Sequence, residues 1–156
     1  MKAVRIHSYG GPDVLTVEEA PRPTPREGEV LIQVHASSVN LFDIGVREGY
    51  MHPYFNYTFP LVMGTDVSGV VEELGEGVSG WEPGDEVYTR AGVFLEGGQA
   101  EYVRVPAVNL ARKPQSVDHL HAAALPHVSL AAWYALVDLA DLCEGQTVLI
   151  HGSAGG

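Results

Sequence analysis

The chain has 156 residues, 46% of them hydrophobic, which is long and apolar enough for one well-buried domain and the start of a second. Its 20 acidic residues outnumber its nine lysines and arginines, and the net charge of −11 argues against nucleic acid and anionic membranes as partners. The one cysteine, Cys143, excludes an internal disulfide and a cysteine-based zinc site, and it favours a reducing, cytoplasmic setting.

Most of the chain, up to about residue 114, consists of short apolar or alternating runs separated by turn residues. This pattern is typical of a β-barrel or a β-sandwich. We therefore predict a mainly β body that ends between about residues 115 and 125. Its predicted strands are, in chain order, "KAVRIHS", "VLTVEEA", "VLIQVHASSV", "DVSGVVEEL", "DEVYTR" and "QAEYVRVPA".

The segment "ASSVNLFDIGVREGY" follows the third predicted strand and places several polar side chains in a short helical or irregular stretch. Polar groups at the exit of a strand are well placed to line a cleft, which makes Asn40, Asp43 and Tyr50 candidate site residues. The alternative is ordinary structural chemistry, with Asn40 or Asp43 as a helix N-cap and Arg47 as a solvated partner. The pattern alone favours this structural alternative.

A carboxylate, Asp66, stands at the start of an otherwise apolar predicted strand. A buried carboxylate has to be paired or hydrogen-bonded, so we predict that Asp66 pairs with an arginine or a backbone N–H and does not act in catalysis. The seven histidines are the remaining candidates for site chemistry. None of them forms an H-x-x-x-H pair or neighbours the cysteine, so we expect no metal site.

The hydrophobic period changes in the last quarter of the chain. Apolar residues recur every three to four positions from about Pro126 to Asp141, which predicts a buried helix too short and too interrupted to span a membrane. The run "EGQTVLIHG" that follows predicts a buried parallel strand.

That strand leads into a glycine-rich turn. Such an order is how a phosphate-binding βα unit begins, because glycines let backbone N–H groups approach a pyrophosphate at a helix N-terminus. A generic glycine turn is the alternative that the pattern leaves open. The candidate cofactor-binding residues are Gly152, Ser153, Ala154, Gly155 and Gly156.

Five blocks of this sequence together resemble one family: "VLIQVHASSVNLFD", "GTDVSGVVEELGEGVSGWEPGDEVY", "GGQAEYVRVP", "AAALPHVSLAAWYAL" and "GQTVLIHGSAGG". They stand in the order seen in the zinc-independent, quinone oxidoreductase-like branch of the medium-chain dehydrogenases/reductases. The resemblance implies a GroES-like catalytic barrel over residues 1–122. Residues 123–156 are then the first helix, strand and glycine turn of a Rossmann domain that binds NADP(H). It also implies that Asn40 reaches the nicotinamide and that Thr65 lies where a strand turns toward the cleft.

The zinc-dependent members of this superfamily carry ligands that the chain lacks. They have a cysteine just before the position of Asp43, a Gly-His-Glu where residues 64–66 stand, and a four-cysteine loop. The resemblance therefore implies hydride transfer without a metal, which hydrogen-bond donors can support when charge spreads over a conjugated carbonyl. Two departures from the family pattern leave the substrate preference open: Ala131 replaces a threonine near the nicotinamide, and Gly45 replaces a frequent tyrosine.

The resemblance implies that the full-length protein is a homodimeric, NADPH-dependent enzyme that transfers hydride to a quinone or an α,β-unsaturated carbonyl. Asn40, Asp43 and Tyr50 are then its candidate catalytic residues, and the chain is its N-terminal half, inactive by itself. Two alternatives stay open, a zinc-free enoyl-thioester reductase and a free-standing GroES-like module for binding or oligomerisation. A self-contained barrel has no use for a phosphate turn, which favours the enzyme.

Overall fold

The computed structural model describes residues 1–91, 97–153 and 155, so the predicted turn residues Ala154 and Gly156 lie outside the described part. The strands are β1 (Lys2–Ile6), β2 (Thr16–Glu19), β3 (Glu29–Ser37), β4 (Leu61–Val62), β5 (Asp66–Leu74), β6 (Glu86–Arg90), β7 (Tyr102–Pro106) and β8 (Ala111–Arg112). The helices are α1 (Leu41–Glu48), α2 (His119–Ala122) and α3 (Pro126–Trp133), with 3-10 turns at Pro12–Val14 and Ala107–Asn109 and a π-helical turn at Tyr134–Leu139.

The strands form two antiparallel sheets. The smaller sheet has the order β2-β1-β4, and the larger one has the order β7-β3-β5-β6-β8. A bridge between Ala3 and Ala100 joins β1 to the segment before β7. All six strands predicted from the sequence are confirmed. The two that were not predicted, β4 and β8, have two residues each, which is too short for an alternating pattern.

The main core packs on one face of the larger sheet, because successive side chains of a strand point to opposite faces. At its centre, β3 pairs with β5 on one side and with β7 on the other. The residues of the candidate site lie at the ends of these paired strands, with Asn40 after β3 and Asp66 at the start of β5. The buried residues of this core are Val30, Ile32, Val67, Val71, Val87, Ala91, Val103 and Val105.

A second, smaller apolar cluster fixes α1 against the barrel, where Val46 packs with Ile6 and Met63. The pairing of β3 with β5 shifts register between Val34 and Ala36, which is a bulge that re-aims the end of β3. The end of β3, the start of α1 and the start of β5 therefore meet at one edge of the larger sheet.

The predicted helix after Pro126 forms as α3 and the π-helical turn, but the prediction that it is buried is wrong. The side chains of Leu130 and Trp133 are 56% and 62% exposed. The reason is that α3 contacts β5 and β6 of the barrel, whereas no described element covers its outer face.

The predicted strand in "EGQTVLIHG" is also wrong for this structure, since Val148, Leu149 and Ile150 form no ladder and are 45%, 81% and 54% exposed. A strand requires a neighbour for its backbone N–H and C=O groups. Among the described residues, the last strand is β8, and it pairs with β6.

Two isoleucines test this division between core and surface. Ile32→Ala removes a fully buried side chain from the centre of β3 and should lower the free energy of unfolding by about 2–5 kcal/mol. Ile150→Ala makes the same change at a half-exposed position and should stay within about 0.5 kcal/mol of the wild type. Urea denaturation of the two variants measures both values. Equal losses at the two positions would contradict the described core.

Candidate active site

The chain between β3 and α1 is shaped by Asn40 and Asp43. Asn40 is the N-cap of α1, with an extended backbone (φ −107°), and its backbone N–H donates to Asp43 Oδ2 at 2.7 Å. α1 ends at Gly49, whose φ of +86° lies in the left-handed region that glycine adopts without strain. The N-cap role considered for Asn40 is therefore confirmed, whereas Asp43 is not the cap but the third residue of the helix, where it accepts from the capping residue.

The side-chain amide of Asn40 faces a polar cluster. Its Nδ2 lies 3.0 Å from Asp66 Oδ2, 3.2 Å from Ser38 Oγ and 3.3 Å from Thr65 Oγ1. All three atoms can accept a hydrogen bond, so together they determine which end of the amide faces Asp66. The amide is thus held in one orientation while the residue caps α1.

The carboxylate of Asp66 is fully buried, and three neutral donors satisfy it. Ser38 Oγ and Asn40 Nδ2 each donate to Oδ2 at 3.0 Å, and the backbone N–H of His127 donates to Oδ1 at 3.0 Å. His127 is the second residue of α3, so the negative charge lies at the N-terminal end of that helix, where its dipole favours an anion. The predicted pairing of Asp66 with a backbone N–H is confirmed.

A second carboxylate, Asp43, is only 4% exposed. Burial raises the pKa of Asp43 above its ordinary value, and the neighbouring charge of Asp66 raises it further. Hydrogen bonds from the Asn40 backbone and from Thr65 act in the opposite direction. Thr65, itself 6% exposed, contacts both Asn40 and Asp43 and therefore links the two acids.

The structure does not bring Tyr50 to this cluster. Tyr50 follows the C-terminal end of α1 and is 67% exposed, whereas Asn40 precedes the N-terminal end. The eight-residue helix between them is about 12 Å long. The role of Tyr50 as a candidate catalytic residue stays a prediction. It requires a substrate that extends from Asn40 to the other end of α1.

The described part of the glycine turn has one feature of a phosphate-binding turn. Gly152 has a φ of +73°, and the Gly155 N–H donates to the Gly152 carbonyl at 2.9 Å. Gly152 and Ser153 are exposed, and no described helix follows them. The residue types fit a pyrophosphate, but the strand and helix that would hold the turn are not formed within the described residues.

Two contributors to the site were missed by sequence analysis, namely the Ser38 hydroxyl and the His127 backbone N–H. Ser38 lies two residues before Asn40 in "ASSVN", so its proximity offered a weak signal. The contact between Asp66 and His127 spans 61 residues of chain and leaves no local pattern.

Residues 1–91, 97–153 and 155 contain no group of three or more His, Cys, Asp and Glu side chains suited to a metal ion. The imidazoles of His35 and His119 lie 4.4 Å apart, but His119 is held by Ser68 Oγ at 2.8 Å and by Glu86 at 3.3 Å. In the same part of the chain, no helix has the length and apolar character that a membrane crossing requires.

Residues 26–115 match the family model described as the alcohol dehydrogenase GroES-like domain. The human protein named NAD(P)H oxidoreductase RTN4IP1, mitochondrial, is 40% identical over 144 residues, which are 82% of this chain and 36% of that protein. The quinone oxidoreductase of Sus scrofa is 38% identical over 159 residues, covering 100% of this chain and 46% of the relative.

A mycobacterial structure solved in complex with NADPH is 34% identical to the chain and superposes with a TM-score of 0.87. The match covers 100% of this chain and 47% of that structure, so the chain spans less than half the length of each of these three proteins. The match confirms the predicted fold class, a GroES-like β-barrel followed by the start of a Rossmann α/β domain.

The raised pKa of Asp43 predicts a pH-dependent stability difference. Because the native state holds this proton to a higher pH than the unfolded chain, the free energy of unfolding falls as pH rises from the ordinary value of 3.8 through the raised pKa. Asp43→Asn lacks this titration, so its unfolding free energy relative to the wild type should increase as pH rises from 3.8 through the raised pKa.

Urea denaturation across that pH range measures the difference, with Asp138→Asn as the matched control on an exposed turn. The unfolding free energy of the control should change with pH in the same way as that of the wild type. A parallel profile for Asp43→Asn as well would contradict the burial argument.

Proposed function

Because the chain belongs to the zinc-independent, quinone oxidoreductase-like branch of the medium-chain dehydrogenase/reductase superfamily, we propose that its full-length enzyme transfers hydride from NADPH to a quinone or another α,β-unsaturated carbonyl. The observation that carries the proposal is the Asn40 amide, which Asp66 and Thr65 hold in place at the junction of β3 and α1. Support for the substrate class comes from the name of the pig relative, and support for NADPH comes from the mycobacterial complex.

The residues of this chain fall into two groups around the proposed cofactor, which supplies the hydride when bound. Asn40 and Thr65 would lie at the nicotinamide. Gly152, Ser153 and Gly155 would lie at the pyrophosphate, together with Ala154 and Gly156 from outside the described part. The described turn has no helix after it, so the 156-residue chain is proposed to be inactive alone and the kinetics below concern the full-length enzyme.

Asn40 acts by orientation. Its Nδ2 is already directed at Asp66, Ser38 and Thr65. Its carbonyl oxygen faces the Asp43 backbone N–H in the capping box of α1 and has a second lone pair that can accept a hydrogen bond from a carboxamide or another donor. An acceptor fixed before binding costs no reorganisation when the ring and the substrate meet.

Asp43 is proposed to hold the Asn40 backbone in shape rather than to transfer a proton. It is buried, and its Oδ2 is engaged by the Asn40 N–H. A reduced quinone or enolate can take its proton from water, so the reaction does not require a carboxylic acid. Conjugation spreads the charge that develops on the substrate oxygen, and the site can therefore work without a metal.

Asn40→Ala in the full-length enzyme should lower kcat/KM by about 10-fold or more, because it removes a hydrogen-bonding group oriented for the transition state. Tyr50→Phe keeps the aromatic face and removes a hydroxyl, so it should act mainly on KM for the quinone. Steady-state kinetics with 1,4-benzoquinone and NADPH measure both effects, with Asn109→Ala as a control at an exposed asparagine. An Asn40→Ala enzyme with a normal fold and unchanged kcat/KM would leave Asn40 with the capping role alone.

A further inference from the structure

Arg90 differs from the other arginines that stack on aromatic rings. Arg22 and Arg112 also form ion pairs, with Glu73 at 2.7 Å and with Asp85 at 2.8 Å, whereas Arg90 pairs with no carboxylate among the described residues. The three guanidinium-to-ring distances are 4.4 Å for Arg22 on Tyr102, 5.0 Å for Arg112 on Trp81 and 5.5 Å for Arg90 on Phe42.

The nearest acid in register is not available to Arg90. Arg90 is the last residue of β6 and lies directly opposite Asp66 on β5, so the two side chains leave the same face of the sheet. The Asp66 carboxylate is already satisfied by its three neutral donors. The guanidinium extends over the Phe42 ring instead, and its Nε is buried without a hydrogen-bond partner in the described chain.

Two further polar side-chain atoms near the Phe42 ring lack a hydrogen-bond partner in the described chain, as Arg90 Nε does. The hydroxyl of Tyr57 and Nδ1 of His127 are buried and have no hydrogen-bond partner within the described ranges. The His127 ring lies 5.8 Å from the Phe42 ring, and Phe55 lies 6.0 Å from both the Phe42 and the Tyr57 rings. Unpartnered polar atoms in a protein interior are costly, so three of them around one aromatic cluster point to a ligand.

The charge state of this cluster suits an anion. Burial, with Tyr9 and the Asp43 carboxylate nearby, raises the pKa of Tyr57 to about 12 against the opposing charge of Arg90, so the phenol remains a donor at neutral pH. The guanidinium is always charged and presents its donors in a planar fork that matches a carboxylate. The rings of Phe42 and Phe55 offer faces on which a planar conjugated molecule can stack.

We propose that Arg90, Tyr57 and His127 form a subsite for a carboxylate carried by the reducible substrate, which makes the substrate an anionic enone or quinone. This inference rests on the proposed function and narrows its substrate class. With a net charge of −11, the chain repels anions overall, so a guanidinium that lies opposite Asp66 and has no carboxylate partner among the described residues is what admits one.

Two enones with the same reacting group test the subsite in the full-length enzyme. They are 4-phenylbut-3-en-2-one bearing a para-carboxylate and the neutral methyl ester of that acid. The wild type should show a kcat/KM for the acid about 10-fold or more above that for the ester, which is the order expected of one charge-assisted contact. Arg90→Met, which keeps an apolar chain over Phe42, should bring this ratio to about 1.

Arg112→Met is the matched control, because Arg112 also stacks on a ring but is paired with Asp85 outside the site. It should leave the ratio of acid to ester unchanged. Arg90→Lys keeps the charge without the fork and should give an intermediate ratio. If thermal unfolding shows that Arg90→Met does not fold, the wild-type ratio and the Arg90→Lys ratio decide the question.

Equal kcat/KM for acid and ester in the wild type would overturn the subsite and leave the proposed function intact. If Arg90→Met raises the KM for NADPH and leaves the ratio of acid to ester unchanged, Arg90 binds a cofactor phosphate instead. That result also overturns the proposal. No turnover of either enone or of 1,4-benzoquinone by the wild type would overturn the proposed function, and the subsite with it.

Discussion

The buried carboxylate of Asp66 is the interaction on which the site depends. It receives hydrogen bonds from the chain after β3, from the residue that begins α1 and from the first turn of α3. A charge with no exposed surface is stable only when such donors replace water. Because these donors come from two segments, residues 38–40 and the first turn of α3, satisfying one charge also fixes how the two segments meet.

This constraint gives Asn40 and Arg90 different roles although both lie beside Asp66. Asn40 donates to the carboxylate and is therefore held in one orientation. Arg90 lies opposite Asp66 in register, but the oxygens of Asp66 already accept three hydrogen bonds. The Arg90 guanidinium therefore stacks on Phe42 and pairs with no carboxylate among the described residues. The same carboxylate thus orients the Asn40 amide and leaves the Arg90 guanidinium without a carboxylate partner in the described part of the chain. Asp43, which is also buried, accepts a hydrogen bond from the Asn40 backbone N–H and so holds the start of α1 in shape.

Local patterns predicted the parts of the fold that depend on local chemistry. The strands β3 and β5 follow from their apolar, β-branched runs and the Asn40 cap before α1 follows from helix-end hydrogen bonding, and all three are observed. The run "TVLI" has the composition of a buried strand but meets no partner strand in the described chain, so composition alone did not determine its structure. The contacts of Asp66 with His127 and of Arg90 with Phe42 join residues more than 45 positions apart, where no sequence period operates.

The side-chain amide of Asn40 offers the most direct test of the claim that Asp66 organises the site. In ¹H–¹⁵N spectra of the 156-residue chain, the Asn40 NH₂ protons should exchange slowly and lie away from random-coil shifts, as expected for donors to a buried carboxylate. In Asp66→Asn, with the core methyl signals as a check on folding, they should exchange fast and move toward random-coil values. A folded Asp66→Asn variant in which the Asn40 amide keeps its shifts and its slow exchange would contradict the account.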